Sequence, residues 1–293
     1  MRALVLSGGG PLAVAWEAGL AAGLADAGVQ LADADFILGT SAGAIVGAQL
    51  ASGRDPAAIA GAILDEAKGI RPTGAAIFPP DAVAQLPGLF AKAQSSPENP
   101  GAARAEIGAH ALAQTTESED ASIARFAAML GATEWPSAPF GCVVVDAGDG
   151  SVHILTRDSG ASLDRAVAAS CSLPGISAPI TIGNRRFLDG GFASTANADL
   201  VPGYDEVLVI GFRPAGPAGD RIQARLDGQL LRLREQGARV LSILPDDASR
   251  AALGGHTMDM RRRPDVARAA IVQGMAEAAR VAEFAAQAGS SAR

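Results

Sequence analysis

Cysteine and histidine are scarce in this chain, and each shortage removes a class of function. Two cysteines in 293 residues, Cys142 and Cys171, cannot build a disulfide framework and lack metal-type spacing, so both are expected as buried free thiols. Three histidines, His110, His153 and His256, are too scattered for a zinc site. No metal and no cofactor is expected. Positive charge is also in deficit: 24 Lys and Arg against 31 Asp and Glu give a net charge of -7. That balance argues against nucleic acid as the main partner. It gives no global attraction to an anionic membrane either, so lipid contact should be local, hydrophobic and transient. No stretch approaches the roughly 18 uninterrupted apolar residues of a membrane span. Met1-Arg2-Ala3-Leu4-Val5-Leu6 stops at Ser7-Gly8-Gly9-Gly10, too short for the apolar core of a signal peptide. The first run is better read as a buried strand, and the expectation is a soluble cytoplasmic protein, peripheral at membranes at most.

Apolar residues are plentiful by contrast. They make up 48% of the chain, enough for a sizeable core. Much of that is alanine, which suits helices packed closely through small residues.

Residues 3–6 read as a strand, and Pro11 as the opening of a helix that keeps apolar spacing to Leu24 and ends at Gly28. Residues 35–38 form a second strand, followed by a small-residue helix from Ala44. Strand, helix, strand, helix within fifty residues predicts a parallel sheet with crossover helices. Prolines 72, 79, 80, 87, 97 and 100 break the stretch 70–135 into short pieces, with Ser95–Gly101 as loop and helices at Ile107–Leu112 and Ile123–Leu130. This stretch reads equally as a helical lid, with Leu86, Leu89 and Phe90 capping a pocket, and as a peripheral insertion. Further strands are expected at 140–145, 151–157, 180–182, 185–188, 207–210 and 240–244, and helices at 163–172, 220–236 and 264–288. Gly183-Asn184 suits a tight hairpin link.

Gly39-Thr40-Ser41-Ala42-Gly43 is a G-x-S-x-G pattern placed between the second strand and its helix. On so tight a turn the serine backbone is strained, and the positions two before and two after must be small, as Gly39 and Gly43 are. The turn would expose the Ser41 hydroxyl at a helix N-terminus, where unpaired N–H groups can hold developing negative charge. Alone, the pattern fits a structural turn as well as a catalytic one. Acyl transfer by a serine also needs a base and oxyanion donors. Gly8, Gly9 and Gly10 lie between a strand and a helix, so their N–H groups are candidate donors, together with that of Ala42. Asp189, at a strand end and followed by Gly190 and Gly191, is the best-placed carboxylate.

Ser7-Gly8-Gly9-Gly10, Gly39-Thr40-Ser41-Ala42-Gly43 and Asp189-Gly190-Gly191, with Ala166–Gly175 between them, resemble the patatin-like phospholipase family over residues 3 to 191. The resemblance implies a three-layer α/β/α fold with a mostly parallel central sheet, as one domain over 1–293 with 70–135 inserted. It implies a lipid acyl hydrolase of phospholipase A, lysophospholipase or lipase type, with a Ser41–Asp189 dyad and the glycine loop as oxyanion hole. A lipid or ester substrate is the expected partner. The family's loop usually carries a basic residue and a glycine where this chain has Leu12 and Ala13, so the positive charge behind the loop is missing.

Rival readings draw on the same residues. Ser41, Asp189 and His256 stand in the order of an α/β-hydrolase triad, although that fold places its nucleophile after several strands rather than the second. Gly8-x-Gly10-x-x-Ala13 matches a dinucleotide fingerprint, yet the second strand ends in Gly39-Thr40-Ser41 rather than the acidic residue a ribose needs. An acyl-serine could also pass its acyl group to an alcohol or thiol instead of water. Arg261-Arg262-Arg263 reads as a solvated loop, Arg185 and Arg186 as a solvated hairpin, Trp16 and Trp135 as packing residues, and Glu17 as a surface helix position.

Overall fold

A computed structural model describes residues 1–67, 78–94, 98–214 and 216–287. Its centre is an eight-stranded sheet: β1 (Arg2–Leu6), β2 (Phe36–Thr40), β3 (Phe140–Asp146), β4 (Val152–Leu155), β5 (Ile180–Ile182), β6 (Arg185–Asp189), β7 (Glu206–Ile210) and β8 (Arg239–Ile243). The order is β5-β6-β3-β2-β1-β7-β8, with β4 also on β3. Strands β8, β7, β1, β2 and β3 pair in parallel, whereas β4 and β6 run antiparallel to β3.

Helices α1 (Gly10–Asp26), α2 (Ala42–Ala51), α3 (Pro56–Asp65), α4 (Pro80–Gln94), α5 (Pro100–Leu112), α6 (Glu119–Leu130), α7 (Leu163–Ser170), α8 (Pro217–Glu235), α9 (Asp247–Leu253) and α10 (Arg263–Ala286) surround it. Alternation along β1 divides the core: Leu4 and Leu6 pack toward α1, α2 and α10, while Ala3 and Val5 pack toward Leu226, Leu230 and Leu233 of α8. Two helical layers over one mixed, mostly parallel sheet make the fold α/β/α.

The alanine and glycine content has its use between α1 and α10. A Cβ on Gly19 would come within 2.5 Å of the Ala267 carbonyl oxygen, and one on Gly23 within 2.0 Å of that of Ile271. The two backbones therefore approach more closely than larger side chains would allow. Trp16 is fully buried there and its indole N–H donates to Gln273 Oε1 at 3.0 Å.

Several expectations need correction. Helix α4 runs through Pro87, because the proline falls on an exposed face of a single continuous helix. Glu17 lies in the core, since α1 is covered on every side. Arg263 is buried too: its guanidinium pairs with Glu66 at 3.1 Å and donates to the Pro11 carbonyl at 3.3 Å. Arg262 donates to the Ala252 carbonyl at 2.8 Å, so two of the three arginines are docked, while Arg261 stays in solvent beside Asp259 as expected. Cys142 is buried, but Cys171 is only half-buried. The Ser95–Pro97 part of the expected loop, Pro72 and position 288 lie outside the described residues. No helix among the described residues is long and apolar enough to cross a membrane.

Candidate active site

Strand β2 runs to Thr40 and α2 starts at Ala42, leaving Ser41 alone to turn the chain. Its φ of 52° and ψ of -111° lie where an L residue is strained, at a cost of roughly 1–3 kcal/mol. Close packing enforces the turn. A Cβ on Gly39 would sit 2.4 Å from the Gly43 carbonyl oxygen, and one on Gly43 would sit 2.1 Å from that of Leu6. Gly43 N–H donates to the Ser7 carbonyl at 3.1 Å, which binds the elbow to the end of β1.

Two buried side chains hold the elbow that sequence reasoning passed over. Ser170 Oγ accepts from the Ser41 N–H at 3.0 Å and donates to the Val143 carbonyl at 2.7 Å. Asn197 Nδ2 reaches Thr40 Oγ1 at 3.0 Å, the Gly190 carbonyl at 3.2 Å and the Ser194 carbonyl at 2.6 Å. The Cys171 thiol donates to the Ser41 carbonyl at 3.3 Å. Burial and the neighbouring Asp189 keep that thiol well above its ordinary range, hence protonated.

Asp189 ends β6 and is 2% exposed. One carboxylate oxygen accepts the Gly191 N–H at 2.7 Å. The Ser41 hydroxyl faces the carboxylate and, ahead of the Gly191 N–H, pulls the acid's pKa down. Burial outweighs both donors and lifts the carboxyl from 3.8 to about 7. An aspartate so poised can take a proton near neutrality, which a solvated one cannot. Phe90 of α4 stacks on Phe192 at 4.6 Å beside this turn, which shields it from water.

The glycine loop delivers less than was expected of it. Gly8 N–H donates to the Thr195 carbonyl at 2.7 Å and so does not point into the site. Its role is steric, because a Cβ there would stand 3.2 Å from Ser41 Cβ. Gly9 and Gly10 are partly exposed, and their N–H groups and that of Ala42 meet no acceptor among the described residues. All three belong to helix starts, where the first N–H groups have no intrahelical partner.

A patatin-like phospholipase family profile matches residues 4–201, from the glycine loop to beyond Asp189. The chain belongs to the patatin-like phospholipase family. Membership supports lipid acyl hydrolase activity. No curated protein matches the chain. Among solved structures it is similar to VipD from Legionella pneumophila, at 14% identity and a TM-score of 0.45, over 94% of this chain and 67% of that one. It is also similar to the type III effector protein ExoU, at 20% identity and a TM-score of 0.39, over 95% of this chain. It spans about half (53%) of the ExoU chain.

The remaining candidates fall outside this patatin-like site. His256 is exposed, and the hydrogen bonds that tune Asp189 come from Ser41 and Gly191 rather than from a histidine. Arg185 pairs with Asp146 at 2.8 Å and Arg186 with Glu119 at 3.1 Å, both away from Ser41. No group of side chains among the described residues could hold a metal ion. Leu12 is buried, and Arg263 of α10 donates to the Pro11 carbonyl just after the glycine loop. Glu17, expected on the surface, lies in the core. Burial holds its carboxyl well above the usual range, and neither oxygen has a partner among the described residues. The nearby Ser7 N–H is spent on the Ile210 carbonyl at 3.1 Å.

Proposed function

We propose that this protein is a serine lipid acyl hydrolase of the phospholipase A, lysophospholipase or lipase type, working through a Ser41–Asp189 dyad. The observation that carries the reading is a water-excluded aspartate with a pKa of about 7 facing the hydroxyl of a strained elbow serine, with no histidine between them. Asp189 accepts the Ser41 proton as Oγ attacks the ester carbonyl carbon. The C–O bond to the leaving alcohol then breaks, and the same proton returns to that alcohol. Asp189 next takes a proton from water as the water oxygen attacks the acyl-serine; the acyl–Oγ bond breaks, the proton passes to Ser41 Oγ and the fatty acid leaves. Gly9, Gly10 and Ala42 N–H groups receive the oxyanion in both halves. Helices α4 to α6 form an insertion beside the site within a single domain, and its Phe90 keeps the Asp189 turn dry. Substrate is met at a lipid surface by transient contact.

An ester panel varying head group and chain length, run on wild type and Ser41→Ala, tests this. Wild type hydrolyses esters and is labelled at Ser41 by a fluorophosphonate; the variant does neither. Turnover retained by Ser41→Ala would refute the assignment.

A further inference from the structure

A two-residue dyad has no imidazole to bridge a misplaced pair, so the separation of its serine and carboxylate must be fixed by the fold. The sheet registers show how the two are brought together. Strand β4 pairs with Cys142 to Val145 of β3, overlapping both the β2 pairing, which ends at Val143, and the β6 pairing, which begins at Val144. A strand has only two edges, so β2 and β6 share the one that β4 does not use. Along that edge Thr40 stands opposite Val143 and Asp189 opposite Val144. Thr40 and Asp189 therefore stand at neighbouring positions of one strand, about 3.3 Å apart along it, and Ser41 follows Thr40 directly.

The junction interrupts the ladder. Ser41 N–H and the Val143 carbonyl both fall where β2 turns away, and Ser170 Oγ fills the gap by accepting from the first and donating to the second. Gly190 passes so close that a Cβ would lie 2.4 Å from the Val143 oxygen. Asn197 clamps the two chain exits together, since its amide reaches Thr40 on one side and Gly190 on the other. Its backbone, with φ of 52°, is itself strained. Both side chains are almost wholly buried, at 0% exposure for Ser170 and 3% for Asn197.

We propose that Ser170 and Asn197 are positioning residues that hold Ser41 and Asp189 at proton-transfer separation by bridging the junction where β2 leaves β3 and β6 joins it. The proposal rests on the dyad reading above. Neither residue touches the reacting atoms; each acts on backbone that carries them.

The experiment compares wild type, Ser41→Ala, Ser170→Ala, Ser170→Thr and Asn197→Gly, the glycine accepting the positive φ without a side chain. Steady-state hydrolysis of a soluble short-chain ester, fluorophosphonate labelling of Ser41 and thermal melting are read on each. Loosening the dyad by about 1 Å should lower kcat roughly 10²-fold in Ser170→Ala and Asn197→Gly, with little change in KM and a parallel loss of labelling rate. The acid limb of the pH profile should move to higher pH in both, because the Ser41 hydroxyl is one of the groups that hold the Asp189 pKa down. Ser170→Thr keeps the hydroxyl and should recover most of the activity. If Ser170→Ala does not fold, Asn197→Gly carries the same measurement. Variants that melt earlier yet keep wild-type kcat and acid limb would show purely structural roles and overturn the proposal. Wild type that neither turns over ester nor labels at Ser41 would instead bring down the dyad itself, a failure seen before any variant is measured.

Discussion

Replacing Asp189 with asparagine separates the catalytic role proposed for its carboxyl from what its burial does to stability. The pKa of about 7, against 3.8 for an ordinary aspartate, means that the folded protein holds a proton the unfolded chain has already released. Stability contributed by such a group is fully present below the unfolded pKa and is lost as pH rises toward the folded one. At 1.36 kcal/mol per unit, the gap between the two values amounts to about 4 kcal/mol. Evaluated between about pH 5 and about pH 9, where some of that loss has already occurred at the lower limit, the change is about 3 kcal/mol. Asparagine keeps the shape and an acceptor for the Gly191 N–H, yet never ionises. Urea unfolding of wild type and Asp189→Asn at the two pH values should therefore show their difference moving by about 3 kcal/mol in favour of the variant as pH rises. Groups common to both proteins, Glu17 included, cancel. Ester hydrolysis disappears in the variant, while wild-type kcat/KM climbs with pH and levels off above about 7 as the base ionises. A stability difference flat across this range would refute the claim that a buried, neutral-leaning Asp189 underlies the chemistry.

Three other perturbations probe the same region. Ser41→Gly and Ser41→Ala should both be inactive, but the glycine variant should be the more stable by about 1–2 kcal/mol in chemical denaturation, because only glycine accepts φ of 52° without strain. Phe90→Ala removes the ring stacked on Phe192 and admits water to the Asp189 turn; the acid limb of kcat/KM should move to lower pH as burial relaxes. Glu17→Met replaces an unpartnered buried carboxyl by an apolar side chain of similar length. Urea unfolding at neutral pH should show a gain of about 1–3 kcal/mol, and a loss instead would indicate that the carboxyl is satisfied in the working protein.

What could be read from the residues was whatever is encoded locally. Apolar runs bounded by glycine or proline mark β1, β2, β3 and β7 to within a few positions, and G-x-S-x-G specifies the elbow because sterics alone demand its glycines. Failures concern contacts supplied by distant chain. Gly8 looked equivalent to Gly9 and Gly10 until Thr195 claimed its N–H. Glu17 looked exposed because a charged residue in an amphipathic helix faces water, but α1 has no such face. Pro87 looked like a break because propensity speaks of helix interiors, and α4 tolerates it on an exposed face. Ser170 carried a faint signal as a polar residue after two alanines on a helix buried almost throughout. Nothing local announces that Asn197 adopts a positive φ.

The costly features of this protein lie together, and their placement argues for function over accident. A strained Ser41, a carboxyl at Asp189 whose charge burial opposes, and a positive-φ Asn197 all stand within a few residues of one junction on β3. The closely packed α1–α10 pair and the alternating faces of β1 lie outside it and obey the ordinary rules of propensity and pattern. If the junction were merely a sheet irregularity, relaxing it would be simple: glycine at position 41, asparagine at 189. Each change removes one unfavourable term and leaves the fold's main contacts intact, and each also removes one partner of the proposed proton transfer. Stability and chemistry therefore pull on the same two residues in opposite directions, which is the pattern expected where strain is retained for reactivity.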